Sequence, residues 1–414
     1  MSLQKHQPTG NQALVREINL SAIMNSLHKH APISRAALAE ITGLNKTTVS
    51  SLIQELLDLQ FVREVGLESA GAGRPAILLE LNPTAGYMVS AEIGVDFISV
   101  MGTNFAIEPV WQHKESTKPE LGQQAILDRS LTLLRQAVKV GRDLSKPLLG
   151  LAVGVPGLVD QRDGTILFAP NLRWQNVPLR DILHQTFDTR IFVDNEANLA
   201  TLGEYYFGAA QGYHEVLYVS AGVGLGGGVI HNGQLFNGGT GLAGEFGHMT
   251  MDPEGELCNC GNQGCWETQA SQSALFRYVQ QAINEERRPG ILSEQQTEGN
   301  LDRLSVSLVV DAAKSNDAVA LAALNQVGRY LGIGIASLVN ALNPELIVFG
   351  GILSLAGEFL LPIIHEQLEQ RALRWSETAV EVVLAQHGPD SCVMGGIATI
   401  YQSILTHPSK IFHK

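Results

Sequence analysis

A chain of 414 residues with 45% hydrophobic content exceeds one ordinary core and leads to an expectation of two or three folded domains. A net charge of −13 argues against a protein coated with nucleic acid along its length, and only four cysteines argue against a disulfide framework. No run of about 18 apolar residues escapes polar interruption, and the first ten residues lack a signal-peptide core, so a cytoplasmic protein without a membrane partner is expected.

The charge is unevenly placed. Residues 1–81 hold seven basic and seven acidic side chains, whereas residues 82–414 hold 21 against 34. Within residues 1–54, basic groups outnumber acidic ones by five to two. An acidic body with a mildly basic amino-terminal end suits a tethered DNA reader, because phosphate attraction is needed only where the protein docks.

From Gln12 to Lys29, apolar side chains at Leu14, Ile18, Ala22, Ile23 and Leu27 recur at three- and four-residue steps and predict an amphipathic helix. Ser34 is placed to cap a second helix carrying Leu38 and Ile41, which Gly43 ends in a left-handed position. Asn45 is placed to cap a third, with Val49, Leu52, Ile53, Leu56 and Leu57 facing inward. Its outer face is small and hydrogen-bonding: Lys46, Thr47, Thr48, Ser50, Ser51 and Gln54. Phe61–Val65 and Ala76–Leu81 read as two strands joined through residues 69–75.

Together these describe a winged helix-turn-helix. The bland alternative is a helical bundle for packing or dimerisation, and the register of the caps and the wing weighs against it. On the winged reading, Lys46, Thr47, Thr48 and Ser50 approach base edges and phosphates of operator DNA in the major groove. Arg74 reaches a flanking minor groove or phosphate, and Gly71 and Gly73 let the wing tip come close to the duplex.

Past Pro83 the texture changes to short apolar runs separated by glycine-rich turns and helical stretches, an α/β pattern. Val89–Gly94 with Ile98–Gly102 reads as a hairpin, and Leu148–Val155, Arg190–Val193, Val216–Val219 and Leu346–Phe349 as further strands. Long helices are expected at 121–141 and 317–341.

Residues 248–265 hold one His and three of the four Cys. Cys258, Cys260 and Cys265 supply thiolates and His248 an imidazole, the closed tetrahedral set that a structural Zn²⁺ prefers, with no position left open for catalysis. Gly261 and Gly264 allow the tight turns this needs. The alternative of three unrelated buried thiols sits poorly with the scarcity of Cys elsewhere. The remaining Cys392 lies in an apolar stretch before Met394-Gly395-Gly396 and reads as a small buried thiol.

Glu245-x-Gly247-His248, followed by Cys258-x-Cys260-Gly261-x-x-Gly264-Cys265-x-Glu267, resembles the signature of the ROK family, which contains repressors and sugar kinases. Residues 82–414 as a whole resemble the family's sugar-binding body. The amino-terminal segment resembles the winged helix-turn-helix of its repressors, which its kinases lack. The resemblance implies a two-lobed, actin-like ATPase (sugar kinase-like) α/β body with a ligand cleft. The implied division is a DNA-binding head over 1–82, a small lobe over 83–199 and 397–414, and a large lobe over 200–396 with the zinc site and a dimerisation surface.

Carried over from the family's motifs, the sugar-binding set is Gly157, Asn171, Asn195, Glu196, Glu245, His248 and Glu267. Carboxylates, amides and an imidazole can accept from and donate to adjacent hydroxyls. His248 would touch the sugar with one ring nitrogen while the other binds zinc. The bland reading of any one of these carboxylates is a solvated loop charge.

Kinase chemistry needs a general base and a cradle for the ATP phosphates. The family's kinases place Asp after the Asn as base, where this chain has Glu196, and their Asp-x-Gly-Gly-Thr phosphate motif is Glu92-Ile93-Gly94-Val95-Asp96 here. Val95 narrows the backbone approach and Asp96 brings negative charge, so ATP binding and catalysis are not expected, although Gly222–Gly228 and the Gly350-Gly351 pair are kept. The expectation is a repressor of a carbohydrate operon, most like the xylose-repressor branch, with operator DNA, a xylose- or glucose-like monosaccharide and a homodimer as partners, a tetramer left open. Two alternatives stay open: a ROK sugar kinase with a fused regulator, and a repressor released by a protein partner.

Overall fold

Helices α1 (Gln12–His30), α2 (Arg35–Thr42) and α3 (Lys46–Asp58) form where the spacing places them, and their caps are made as read. Ser34 Oγ accepts from the Ala37 amide at 3.3 Å, Asn45 Oδ1 from the Thr48 amide at 2.8 Å, and Gly43 stands at φ 69°. The computed structural model describes residues 12–68, 76–286, 292, 304–377 and 380–408.

The buried face of α1 differs from the expected one. It consists of Leu20, Ile23, Met24 and Leu27, whereas Leu14 and Ile18 are each 58% exposed and Ile41 of α2 is 50% exposed. Periodicity reports an apolar stripe but not how far a partner covers it. The first turns of α1 meet α3 through a polar contact, Arg16 with Glu55, instead of an apolar one. On α3, Val49, Leu52, Ile53 and Leu56 are buried and Leu57 partly so.

Strands β1 (Ile33–Ser34), β2 (Val62–Glu68) and β3 (Ala76–Leu81) pair antiparallel in the order β1-β3-β2, the sheet of a winged helix. The wing-tip residues Gly71, Gly73 and Arg74 lie outside the described residues.

The body repeats one topology. In its first half, β4 (Tyr87–Ile93), β5 (Phe97–Asn104) and β6 (Pro109–Ser116) form an antiparallel meander. Helix α4 (Gln123–Asp143) then leads to β7 (Leu148–Val155), parallel to β4, and β11 (Ile191–Asn195) pairs parallel with β7. Between these two strands lie a small sheet, β8 (Leu158–Asp160), β9 (Thr165–Ala169) and β10 (Trp174–Val177), and the short helix α5 (Leu179–His184).

In the second half, β12 (Val216–Ala221), β13 (Leu225–His231) and β14 (Gln234–Leu235) form the meander. Helices α7 (Gln272–Glu286), α8 (Val306–Lys314) and α9 (Ala318–Leu342) lead to β15 (Leu346–Gly350), parallel to β12. Helix α10 (Gly357–Arg371) and the short α11 (Arg374–Glu377) lead to β16 (Glu381–Leu384), parallel to β15. The sheet orders β11-β7-β4-β5-β6 and β16-β15-β12-β13-β14 therefore correspond strand for strand.

Each half ends in a helix that packs across to the other half. Helix α6 (Glu196–Phe207) follows β11 but lies against β12 and β13, and α12 (Ser391–Thr406) follows β16 but lies against β4 and β7. The two helices also pack on each other at backbone distance. A side chain at Gly203 would strike the Ser391 carbonyl, and one at Gly395 would strike the Leu199 carbonyl.

Helix α9 has the length and composition of a membrane span, but 56% of its apolar window is buried inside the protein, packed on α7 and α10. The head is fused to the body by a common core. Leu20, Leu27 and Leu56 of the head share one apolar cluster with Met88, Leu149, Ile397, Ile400 and Leu405 of the body. Leu27→Ala is therefore expected to cost roughly 2–5 kcal/mol. In calorimetry it should shift a single cooperative transition of head and body together; a separate early transition with the body unmoved would count against the shared core.

Candidate functional site

Between the two sheets lies a cleft of 340 Å³, and Gly157, Asn171, Asn195, Glu196, Glu245, His248 and Glu267 all line it. The turn from β11 into α6 supplies two of them. Asn195 has the backbone of an N-cap, its Oδ1 accepting from the Ala197 and Asn198 amides at 2.7 and 3.3 Å, while its Nδ2 donates to the Gly157 carbonyl at 3.0 Å. Its amide thus fastens the Gly157 loop to α6. Gly157 itself stands at φ 129° with the Phe168 carbonyl crowding the space of a Cβ, which only glycine tolerates.

Glu196, the first residue of α6, has its Oε2 buried with no hydrogen-bond partner. A buried acceptor of this kind is normally satisfied, so a hydroxyl donor entering the cleft has a place to bind. Burial raises the Glu196 carboxyl well above the usual carboxylate range, and the nearby Glu92 and Glu245 push the same way. Glu245 is raised by burial and by Glu267, against the pull of His248.

Glu92, 8% exposed at the end of β4, also lines the cleft. Burial pushes its carboxyl up to about 7, opposed by Lys114 and by a hydrogen bond from Cys392, and supported by Asp390 and Asp96. Gly94, Val95 and Asp96 stand beside it on the wall, as do Gly222, Gly224, Gly226 and Gly351. Residues that the sequence reading did not place here include Lys114, Ser391, Cys392 and Gln272. Cys392 is buried as expected, but at the cleft. Lys114 sits on β6, where Gln112 to Ser116 are all polar and offer no apolar alternation to read.

The metal-type cluster reaches the cleft through His248. The ligand atoms of His248, Cys258, Cys260 and Cys265 all lie within 4.8 Å of one another. Cys258 Sγ is 3.7 Å from His248 Nδ1, and the sulfurs of Cys260 and Cys265 are 3.8 Å apart. A tetrahedral ion with metal–sulfur bonds of about 2.3 Å needs sulfur separations near 3.8 Å. Two N–H groups already point at the sulfurs: the Cys260 amide donates to Cys258 Sγ and Asn262 Nδ2 to Cys265 Sγ, each at 3.4 Å. The donor set fits a divalent metal. Without one, burial pushes the Cys258 thiol up, and it donates to Glu267 Oε1 at 2.7 Å; a bound cation reverses that preference.

The loop is held by the Thr250–Cys265 and Leu257–Gln263 bridges, and by fully buried Trp266, whose Nε1 donates to the Tyr330 carbonyl of α9 at 2.8 Å. It reaches the cleft directly. Asn259 Nδ2 donates to Asn171 Oδ1 at 2.9 Å, and His248 Nε2 faces Glu245 Oε2 at 3.9 Å. On the head, Lys46, Thr47, Ser50, Ser51 and Gln54 are exposed along one face of α3, and Thr48 is partly so.

A winged helix-turn-helix joined to a two-lobed, sugar kinase-like body defines a DNA-binding regulator. The ROK family profile matches residues 88–403, and the winged helix-turn-helix DNA-binding profile matches residues 16–63. The chain belongs to the ROK family, among its transcriptional regulators. A xylose repressor of Caldicellulosiruptor bescii is 34% identical over 399 residues, 96% of this chain and 99% of that protein. The crystal structure of a ROK family transcriptional regulator, a homologue of the Escherichia coli MLC protein, superimposes with a TM-score of 0.83 at 27% identity, covering 96% of this chain and 99% of its own. A ROK glucokinase from Streptomyces griseus, solved with glucose and AMPPNP, gives 0.67 at 32% identity, covering 75% of this chain and 98% of its own.

Two measurements test the site. Elemental analysis should find about one divalent metal per chain, and Cys265→Ser should lose it together with thermal stability; a metal-free wild type of equal stability would discount the cluster. For Glu92, a carboxyl raised to about 7 contributes stability that is present below its unfolded value and lost as pH climbs through 7. Glu92→Gln should therefore leave stability near pH 4.5 little changed and raise it at pH 8 by up to roughly 3 kcal/mol in urea titrations. An equal effect at both pH values would contradict this.

Proposed function

We propose that the protein is a sugar-responsive transcriptional repressor of a carbohydrate operon, in which a monosaccharide bound between the lobes releases operator DNA. The observation that carries this reading is the buried, unpartnered Glu196 carboxyl in a cleft that shares one continuous body with a winged helix-turn-helix. Glu196, Glu245, Glu267, His248 and Asn171 offer acceptors and donors for adjacent hydroxyls, with Asn195 holding the Gly157 loop in place. D-Xylose is the expected effector, supported by the likeness to a xylose repressor over nearly the full length of both chains.

Zn²⁺ is the proposed occupant of the His248, Cys258, Cys260 and Cys265 cluster, where it would supply structural cross-linking of the loop and no open coordination position. Through His248 it would fix a side chain of the sugar site. The head over 1–82, the lobes over 83–199 with 397–414 and over 200–396, and a cytoplasmic homodimer that spaces two recognition helices on a pair of half-sites belong to the same reading. Lys46, Thr47, Thr48 and Ser50, with Arg74 from the wing, would make the DNA contacts.

The kinase reading is favoured by one observation, the glycines at 222, 224, 226 and 351 on the cleft wall, together with the glucokinase likeness. Against it, Glu92 and Asp96 put carboxylates where triphosphate oxygens would lie, beside Glu196 and Glu245, with Lys114 as the one lysine among the described residues of the wall. Glu196 also carries one methylene more than the base of the family's kinases, in a reaction sensitive to ångström shifts.

A 100-fold loss of DNA affinity needs about 2.7 kcal/mol of differential sugar affinity between the two states, which a few hydrogen bonds supply. The test is fluorescence anisotropy at fixed salt on the DNA upstream of the protein's own gene, with D-xylose, glucose and N-acetylglucosamine titrated in parallel. Release by xylose, lost in Glu196→Gln, is the expected result. DNA binding that no sugar alters would favour release by a protein partner, and sugar-dependent ATP turnover would favour the kinase.

A further inference from the structure

Two helices start at the cleft. Their amino-terminal turns line it, α6 through Glu196 and α12 through Ser391 and Cys392. The far end of α12 meets the head, and the end of α6 packs beside it. Phe207 and Tyr401 have ring centroids 5.9 Å apart, Tyr401 lies 5.0 Å from Phe105, and Phe105 lies 5.4 Å edge-on from Phe61 of the head. The Tyr401 hydroxyl is 3.0 Å from Nδ1 of His28 near the end of α1, with the rings 5.3 Å apart.

The first turn of α12 touches both sides of the cleft. On one side Cys392 lines it together with Glu92 of β4. On the α6 side, Glu204, 1% exposed, accepts from Ser391 Oγ at 2.8 Å and from the His387 and Gln386 amides at 2.9 and 3.0 Å. Between its ends α12 runs for 16 residues without proline. At 1.5 Å per residue it is one helix of about 24 Å, and its Gly395-Gly396 pair is packed against Leu199 of α6 and against Ser90 and Ala152 of the sheet.

Among the described residues the head has two attachments to the body. One is covalent, where Asn82 is fastened by the Phe61 and Gln60 carbonyls and the Pro83 carbonyl accepts from the Phe105 amide. The other is the shared core, where Ile397, Ile400, Ile404 and Leu405 of α12, with Met88 and Leu149 of the sheet, join Leu20, Ile23 and Leu27. With one point fixed by the chain, displacement of the second turns the head. We propose that α12 is the lever by which the cleft sets the orientation of the DNA-binding head, and that the Tyr401–His28 contact is a joint of that lever. This deepens the sugar-responsive reading and rests on it.

The experiment uses the full-length protein and compares D-xylose affinity, by calorimetry, with and without saturating operator duplex. The ratio of the two affinities is the coupling between sites, and by reciprocity it equals the effect of xylose on DNA affinity. Tyr401→Phe keeps the ring packing and removes the hydroxyl. His28→Ala acts on the other side of the joint, at an exposed residue, and opens no core cavity. Each variant should bind xylose alone and DNA alone much as wild type does, which also shows that it is folded, while the coupling ratio falls about fivefold, the worth of one net hydrogen bond. Wild-type coupling that survives undiminished in both variants overturns the lever and leaves the sugar-responsive reading standing. A wild type in which no sugar alters DNA affinity removes that reading, and the lever with it.

Discussion

The backbone contact between α6 and α12 is the constraint on which the cleft depends. Each helix leaves one sheet and lies on the other, and Gly203 and Gly395 let them meet without side chains between. That crossing brings two helix amino termini to the same cleft, where Glu92 and Glu196 gather. Burial raises both the Glu92 and the Glu196 carboxyl, and Glu92 adds repulsion to Glu196. The partial positive charge of each helix start offsets part of that cost. A side chain at either glycine would separate the helices and both walls of the cleft with them.

The metal-type loop solves a different problem. Residues 248–267 contain little apolar material for a core of their own, yet they must hold His248 and Glu267 at the cleft edge. Trp266 anchors one end under α9, where it occupies the space that a side chain at Gly334 would need, and the clustered sulfurs gather the other. Asn259 then passes this order on to Asn171, so a cleft-lining amide from the other half of the body is oriented by the same loop.

Much of this was legible in the sequence because it rests on local chemistry. Ser34, Gly43 and Asn45 are read from the capping rules alone, and the Cys spacing from metal coordination. The family resemblance brought the seven cleft residues together, since no periodicity links Asn171 to Glu267. What stayed hidden depends on tertiary context. The β13 tract Gly226-Gly227-Gly228 reads as turn material, but these glycines form a strand, and the space they leave admits Thr201 and Phe246. Leu14 and Ile18 continue a helical stripe that nothing in the described chain covers. Cys392 reads as inert packing because its place beside Glu92 is fixed only when the two ends of the body meet.

The shared core of the head also imposes an order on biosynthesis. Residues 12–81 emerge from the ribosome before the surface on which they rest, Ile397, Ile400, Ile404 and Leu405. A nascent or truncated chain ending before α12 carries a head with a bare apolar flank and no fixed bearing on the body. The head thus takes its bearing on the body only once α12 has been made and packed.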